Sequence, residues 1–177
     1  MNHDAYPDAY IRSVLTTHKT FAMVGASANV VRPSYFAMKY LLGKGYRIIP
    51  VNPGQAGRQI LGMMCYASLA EIPEPVEVVD IFRNSDAALQ ITRDTIALKD
   101  KLGLKVIWMQ LGVRNDEAAR LAEEAGLKVI MNRCPKIEFG RLSGEIAWAG
   151  VNARTISARK PLMGAKGFQN LTLKSRD

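Results

Sequence analysis

The strongest constraint in this sequence is a short apolar run that stops at a glycine. Thr20 to Val24 reads TFAMV, and Gly25-Ala26-Ser27 follows at once. A few residues on, Arg32-Pro33-Ser34 opens a helical pattern. Proline suits the first helical position, where its missing N–H leaves no bond unmade. A strand that turns at glycine into a helix start builds an anion site from backbone alone. The first amides of a helix have no intrahelical partner, and the helix dipole adds partial positive charge beside them.

The rest of the chain repeats this alternation. Asp8 to Thr17 reads as a leading helix, with Ala9, Ile11, Val14 and Leu15 as packing residues. The helix from Pro33 pairs Phe36 with Tyr40 and Ala37 with Leu41 at i, i+4, and Gly43 and Gly45 end it. A second strand, Arg47 to Val51, closes at the turn Asn52-Pro53-Gly54. Gln55 to Tyr66 is irregular. Ala67 to Ile72 reads as a short helix with Ser68 and Glu71 as a capping box. A third strand spans Val76 to Phe82. The next helix begins after Asn84 or Ser85 and buries Ala88, Ile91, Thr95, Leu98 and Leu102. Lys105 to Met109 is a fourth strand, Asp116 to Ala125 a helix burying Ala118, Leu121, Ala122 and Ala125, and Lys128 to Met131 a fifth strand. Cys134 to Gly140 reads as a loop. From Arg141 on, no period is evident, although Ile146, Trp148, Val151 and Ile156 supply apolar surface for packing. Gly164 to Asp177 has the composition of a partly disordered end.

Short, β-branched strands between helices argue for a parallel sheet covered on both faces. With the glycine turn after the first strand, the expected fold is an α/β, doubly wound, Rossmann-like sheet of about five strands in the order 3-2-1-4-5. The expected division is a ligand-binding domain over 1–140, including the leading helix, and an extension over 141–177 that packs on the domain or on a partner subunit.

Charge narrows the partners. The chain of 177 residues carries a formal +8, and Arg141 to Asp177 holds seven basic residues against two acidic ones. There is no dense basic run and no interleaved aromatic platform, which argues against nucleic acid. No apolar run approaches the roughly 18 residues that span a bilayer, and the first residues lack the pattern of a secretory signal. Cys65 and Cys134 are too few for a disulfide framework, so reduced thiols and a cytoplasmic setting are expected. The tail offers a surface for a homo-oligomer.

Ligands of open parallel sheets sit beyond the carboxyl ends of the strands. Dinucleotide binding by NAD needs G-x-G-x-x-G and an acid after the second strand. Here Ser27 and Val30 replace the later glycines, and Asn52 replaces the acid. NADP is less excluded. Coenzyme A fits better: its pyrophosphate suits the helix start, its ribose phosphate suits Arg32 through a charge-assisted contact, and a carboxylate after the second strand would repel that phosphate.

Four segments at the strand ends, Gly25 to Ser34, Val51-Asn52-Pro53, Asp80 to Arg83 and Asn132-Arg133-Cys134, together resemble the small Rossmann-fold CoA-binding proteins. These are similar to the CoA-binding domain of the succinyl-CoA synthetase alpha subunit standing alone. The resemblance covers about Thr20 to Gly140 and extends towards Ile146. It implies Gly25, Ala26, Ser27, Arg32, Pro33 and Ser34 around the CoA phosphates, Asn52 and Pro53 by the nucleotide, and Phe82 and Arg83 on the opposite wall. The synthetase carries a catalytic phosphohistidine in a second domain. Here the histidines are His3 and His18, both before the sheet, so the resemblance implies binding of CoA or an acyl-CoA and no ligation. Two other functional classes remain: an NAD(P)-dependent oxidoreductase, and a protein-interaction module with a vestigial nucleotide site.

Each residue also has a plainer reading. Gly25 serves any tight strand-to-helix turn, Arg32 any solvated surface, and Asn52-Pro53 any turn. Phe82 suits a strand-end core, and Arg83 an ion pair with Asp86. Cys134, with Arg133 and Lys136 nearby to favour a thiolate, is either a thiol contact to CoA or an inert buried cysteine. Cys65, Trp108 and Trp148 read as structural. His3 and His18 form no metal-ligand spacing with the cysteines, and no Ser/His/Asp set is apparent, so no catalytic or metal residue is assigned.

Overall fold

The computed structural model describes residues 1–145 and 172–173. Two compact units emerge: His18–Cys134 forms one, and Met1–Thr17 joins the segment beginning at Pro135 in the other. In the first unit the elements run β1 (Thr20–Val24), α2 (Pro33–Gly43), β2 (Arg47–Val51), the hairpin β3 (Gln59–Ile60) and β4 (Met63–Met64), β5 (Val78–Ile81), α3 (Ser85–Ala97), α4 (Lys99–Leu102), β6 (Val106–Met109), α5 (Asp116–Glu124) and β7 (Lys128–Ile130). The second unit contains α1 (Asp8–Thr17) and α6 (Pro135–Ser143).

The fold is Rossmann-like α/β, with five parallel strands and helices on both sides. Strand side chains alternate between faces. Ala22, Ile49, Val79, Ile107 and Val129 form one core with Ala88, Ala118 and Ala122 of α3 and α5. Phe21, Ile48, Val78, Val106 and Trp108 are buried but stand outside that cluster, on the other face.

The strand order differs from the expected 3-2-1-4-5. It is β2-β1-β5-β6-β7, so the third long strand lies beside β1 and not beyond β2. The outer edge of β2 is already occupied. Tyr66 bridges Val51 in parallel; its N–H donates to the Pro50 carbonyl at 3.0 Å, and its carbonyl accepts from Asn52 N–H at 2.9 Å. The chain caps that edge with its own connection. Extended pairing is then left for β5 only on the far side of β1, and the order reverses between β1 and β5.

Other differences are local. Cys134 to Gly140 is not a loop: Pro135 starts α6, and Phe139 and Leu142 are buried. Within that unit Arg141 bonds both Asp8 and Glu138 at 2.7 Å. Ala67 to Ile72 is reduced to a 3-10 turn over Leu69–Glu71. Glu71 still reaches back to the Ala67 N–H and the Ser68 hydroxyl, each at 3.3 Å. The helix expected to reach Leu102 breaks into α3 and α4. Ile146, Trp148, Val151, Ile156 and 164–171 lie outside the described residues, as do 174–177.

Candidate functional site

Gly25 adopts φ 91°, the left-handed region that favours glycine. Its N–H donates to the Val51 carbonyl at 2.8 Å, tying the turn to the end of β2. A Cβ there would meet the Phe82 carbonyl oxygen at 2.9 Å and Arg83 Cδ at 3.0 Å. The turn after β1 and the turn after β5 therefore touch, a consequence of the observed strand order. Phe82 N–H donates to the Val24 carbonyl at 2.8 Å.

Asn52 fastens the same loop. Its Nδ2 donates to the Ala26 carbonyl at 2.7 Å, and its Oδ1 accepts from Gly54 N–H at 2.9 Å. Gln55 adds a second brace, its Oε1 accepting from Ala28 N–H at 3.0 Å. Ser27 Oγ accepts from Asn29 N–H at 3.1 Å. These bonds hold Ala26 to Asn29 without using the first amides of α2.

That helix start is chemically distinctive. Arg32 is the N-cap and cannot accept a bond, so α2 has no side-chain cap. By contrast, Asn84 accepts from Ala87 N–H at 3.1 Å to cap α3, and Asn115 accepts from Ala118 N–H at 2.9 Å to cap α5. Pro33 is exposed at the first helical position, and Ser34 is buried. Arg32 and Arg83 are exposed, and neither forms an ion pair among the described residues, Asp86 included.

Beside this loop lies a cleft of about 570 Å³ over the carboxyl ends of β1, β2 and β5. Of the residues singled out in the sequence, Gly25, Asn52, Pro53 and Arg83 line it. Ala26, Ser27, Arg32, Pro33 and Ser34 build the adjoining turn and helix start, and Phe82 supports the turn from behind. Cys134 is half-buried beyond β7 and does not line the cleft. Three strand spacings separate β7 from β1, about 14 Å at the usual interstrand distance.

Sequence reasoning missed the two walls. One is Ala67 to Ala70, in the irregular connection. The other is a face of α3 made by Ala87, Gln90, Ile91, Asp94, Ala97 and Leu98. Ile91 and Leu98, expected in the core, are half-buried: they pack against the core cluster and also line the cleft. The signal was available: Ala87, Gln90, Ile91, Asp94 and Leu98 recur at three- and four-residue spacing beside the buried stripe Ala88, Thr92 and Thr95.

Asp80, three residues before Arg83, faces the opposite side of the sheet. It is fully buried, and Gln110 Nε2 donates to its Oδ1 at 2.8 Å. Its Oδ2 has no partner among the described residues. Burial pushes the carboxyl up to about 8, against the opposing effect of the Gln110 bond. Asp80 is a neutral acid at neutral pH, and it belongs to the support of the site and not to the cleft. Among the described residues no cluster of His, Cys, Asp and Glu suits a metal ion, and no helix is long and apolar enough to cross a membrane.

Comparison with known proteins places this geometry in context. The CoA-binding domain family matches residues 19–140. An uncharacterized Bacillus subtilis (strain 168) protein, YneT, is 34% identical over 129 residues, covering 73% of this chain and 91% of that protein. The crystal structure of Prb, a protein redesigned for binding, is 41% identical with TM-score 0.73, covering 79% of this chain and 94% of the other. A hypothetical protein from Pyrococcus horikoshii OT3 is 40% identical with TM-score 0.69, covering 78% and 93%.

Proposed function

The chain belongs to the CoA-binding domain family, and from that premise we propose that it binds coenzyme A or an acyl-CoA as a cytoplasmic binding protein without catalysis of its own. The observation that carries this reading is the start of α2, which has no side-chain cap, joined through the glycine turn to a cleft that Gly25 and Arg83 line; neither Arg32 nor Arg83 forms an ion pair among the described residues. The pyrophosphate lies at the start of α2, where the dipole and the Ser34 N–H favour it; Pro33 has no N–H, and the Tyr35 N–H donates to the Arg32 carbonyl at 3.0 Å. Arg32 and Arg83 serve the phosphates, and Arg32 is the choice for the ribose phosphate. The cleft has a volume typical of small-molecule sites and takes the uncharged part of the ligand.

Asn52 bears on the dinucleotide alternative. It is uncharged, and one donor and one acceptor of its amide are held in loop bonds, which makes it a weaker partner for a ribose diol than the acid of an NAD site. Thermal-shift titration with CoA, dephospho-CoA, NADH and NADPH tests the reading. CoA should raise the Tm most by ligand linkage, and Arg32→Ala should weaken CoA about tenfold, the loss of one charge-assisted contact, while leaving dephospho-CoA nearly unchanged. Equal shifts by CoA and dephospho-CoA would remove the ribose-phosphate assignment. A shift with NADPH alone would favour the oxidoreductase, and no shift with any of the four would favour the interaction module.

A further inference from the structure

We propose that the turn between β1 and α2, with the exposed stripe of α2 beside it, docks the protein peripherally on an anionic lipid bilayer. Arg32 N–H donates to the Asn29 carbonyl at 3.0 Å. That bond closes a β-turn with Val30 and Val31 at its two central positions. Turn corners ordinarily take glycine, proline, asparagine, aspartate or serine. Here the two valines are 57% and 71% exposed, and Phe36, in the first turn of α2, is 51% exposed. Apolar side chains grouped at one exposed corner mark an interaction surface.

The backbone of this corner is prepared to leave water. Gln55 Oε1 accepts from Ala28 N–H at 3.0 Å, Ser27 Oγ from Asn29 N–H at 3.1 Å, and Asn29 Oδ1 from Val31 N–H at 3.1 Å. With the Arg32 bond, four successive donors of the loop, Val30 excepted, have acceptors within the protein. The valines can therefore enter an apolar medium without stranding these amides.

Charge selects the partner. His18 to Ala70, which carries the turn, α2, β2 and the hairpin, holds six basic residues and no acid. Glu71 to Cys134, the other half of the sheet, holds nine basic residues against eleven acidic ones. Positive charge therefore gathers on the side that bears the valines. Arg47 pairs with Glu74, but Arg32, Lys39 and Arg58 are exposed and form no ion pair among the described residues. Arg32, Phe36 and Lys39 fall at i, i+4 and i+7, on one exposed stripe of α2. A second copy of this face would bring like charge to like. A nucleic acid would use the cations and leave the valines in water. An amphipathic peptide needs a groove, and a turn corner offers none. An anionic bilayer uses both features: its headgroups meet the cations, and its interface takes the valines and Phe36.

The experiment is cosedimentation of the full chain with vesicles of phosphatidylglycerol and phosphatidylcholine in equal parts, against vesicles of phosphatidylcholine alone. The anionic vesicles should bind about tenfold more tightly or better, and the preference should shrink as salt rises. The double variant Val30→Ser, Val31→Ser should lose about tenfold in affinity for the anionic vesicles, with its Tm unchanged. Lys39→Glu should lose about fivefold or more, the worth of one basic side chain near such a surface. Equal binding to both vesicles, or full affinity in the double variant, would overturn the proposal. So would a DNA duplex that binds as tightly as the vesicles and is indifferent to the two serines, which would give the face to nucleic acid. A lipid-free dimer in sedimentation velocity that the two serines dissociate would overturn it in favour of a second copy.

Discussion

The two ends of the central sheet treat their carboxylates in opposite ways. At the amino end, Glu77 is fully engaged. Its Oε2 accepts from the Lys19 N–H at 2.9 Å and the Thr20 N–H at 3.4 Å, and its Oε1 meets His18 Nδ1 at 3.1 Å. Burial opposes its charge, yet these bonds hold it below the usual carboxylate range. Three residues later, near the carboxyl end, Asp80 accepts from Gln110 at one oxygen and has no partner at the other among the described residues, and burial raises its pKa to about 8. The amino end ties β1 to β5 through Glu77, whose two carboxylate oxygens both have partners, although the buried His18 Nε2 has none among the described residues. The carboxyl end has a helix start without a side-chain cap, two arginines without ion pairs among the described residues, and a cleft. A sheet that is closed at one edge can hold its other edge open for a ligand, since stability and binding then rest on different residues.

The largest effect should come from breaking the open end at its turn. Gly25→Val forces a β-branched side chain into φ 91° and against the Phe82 carbonyl. Strain and overpacking together should cost about 3 kcal/mol or more, read by urea unfolding, and CoA should no longer shift the Tm. Next is the buried acid. An unfolded aspartate titrates near 4, and Asp80 titrates near 8 when folded. The folded state thus binds the proton more tightly. Its stabilising contribution is full below about pH 4 and is lost as pH rises towards 8. Asp80→Asn should flatten the decline between pH 5 and 8 in a series of denaturant melts. An unchanged slope would assign that decline to other groups.

The smallest effect concerns the closed end. Glu77→Ala leaves two amides and His18 without their acceptor, at a cost of about 2 kcal/mol. The Glu77 contribution is present above the carboxylate range and lost as pH falls through the lowered folded value. Ligand affinity per folded molecule should not move. A large change in CoA affinity in this variant would show that the two ends are coupled and that the division of labour is wrong.

Much of this was written locally. The apolar run Phe21 to Val24, the glycine turn and Pro33 specified β1, its exit and α2. Asn115 before Asp116 marked the start of α5, and Gly126 its end. Cys134-Pro135 was harder, because a helix with few period-marking apolar residues gives a weak signal before it packs. In α3 the same heptad-scale pattern encodes two stripes. The sequence cannot say that Ala88 and Thr95 are wholly buried while Ile91 and Leu98, packed at the rim of the core, also border a cleft; the neighbouring layer decides it.

By itself, the sequence determined the Rossmann-like alternation, the glycine turn into α2 and the family, since these depend on short-range periodicity, glycine stereochemistry and motif order. Only the tertiary structure decided that β5 lies beside β1, that Gly25 therefore meets Phe82 and Arg83, and that Ala67 to Ala70 faces Gln90 and Asp94 across the cleft. Those are non-local facts. They follow from Tyr66 occupying the edge of β2, a competition between chain segments for the same backbone hydrogen bonds, which no local pattern records.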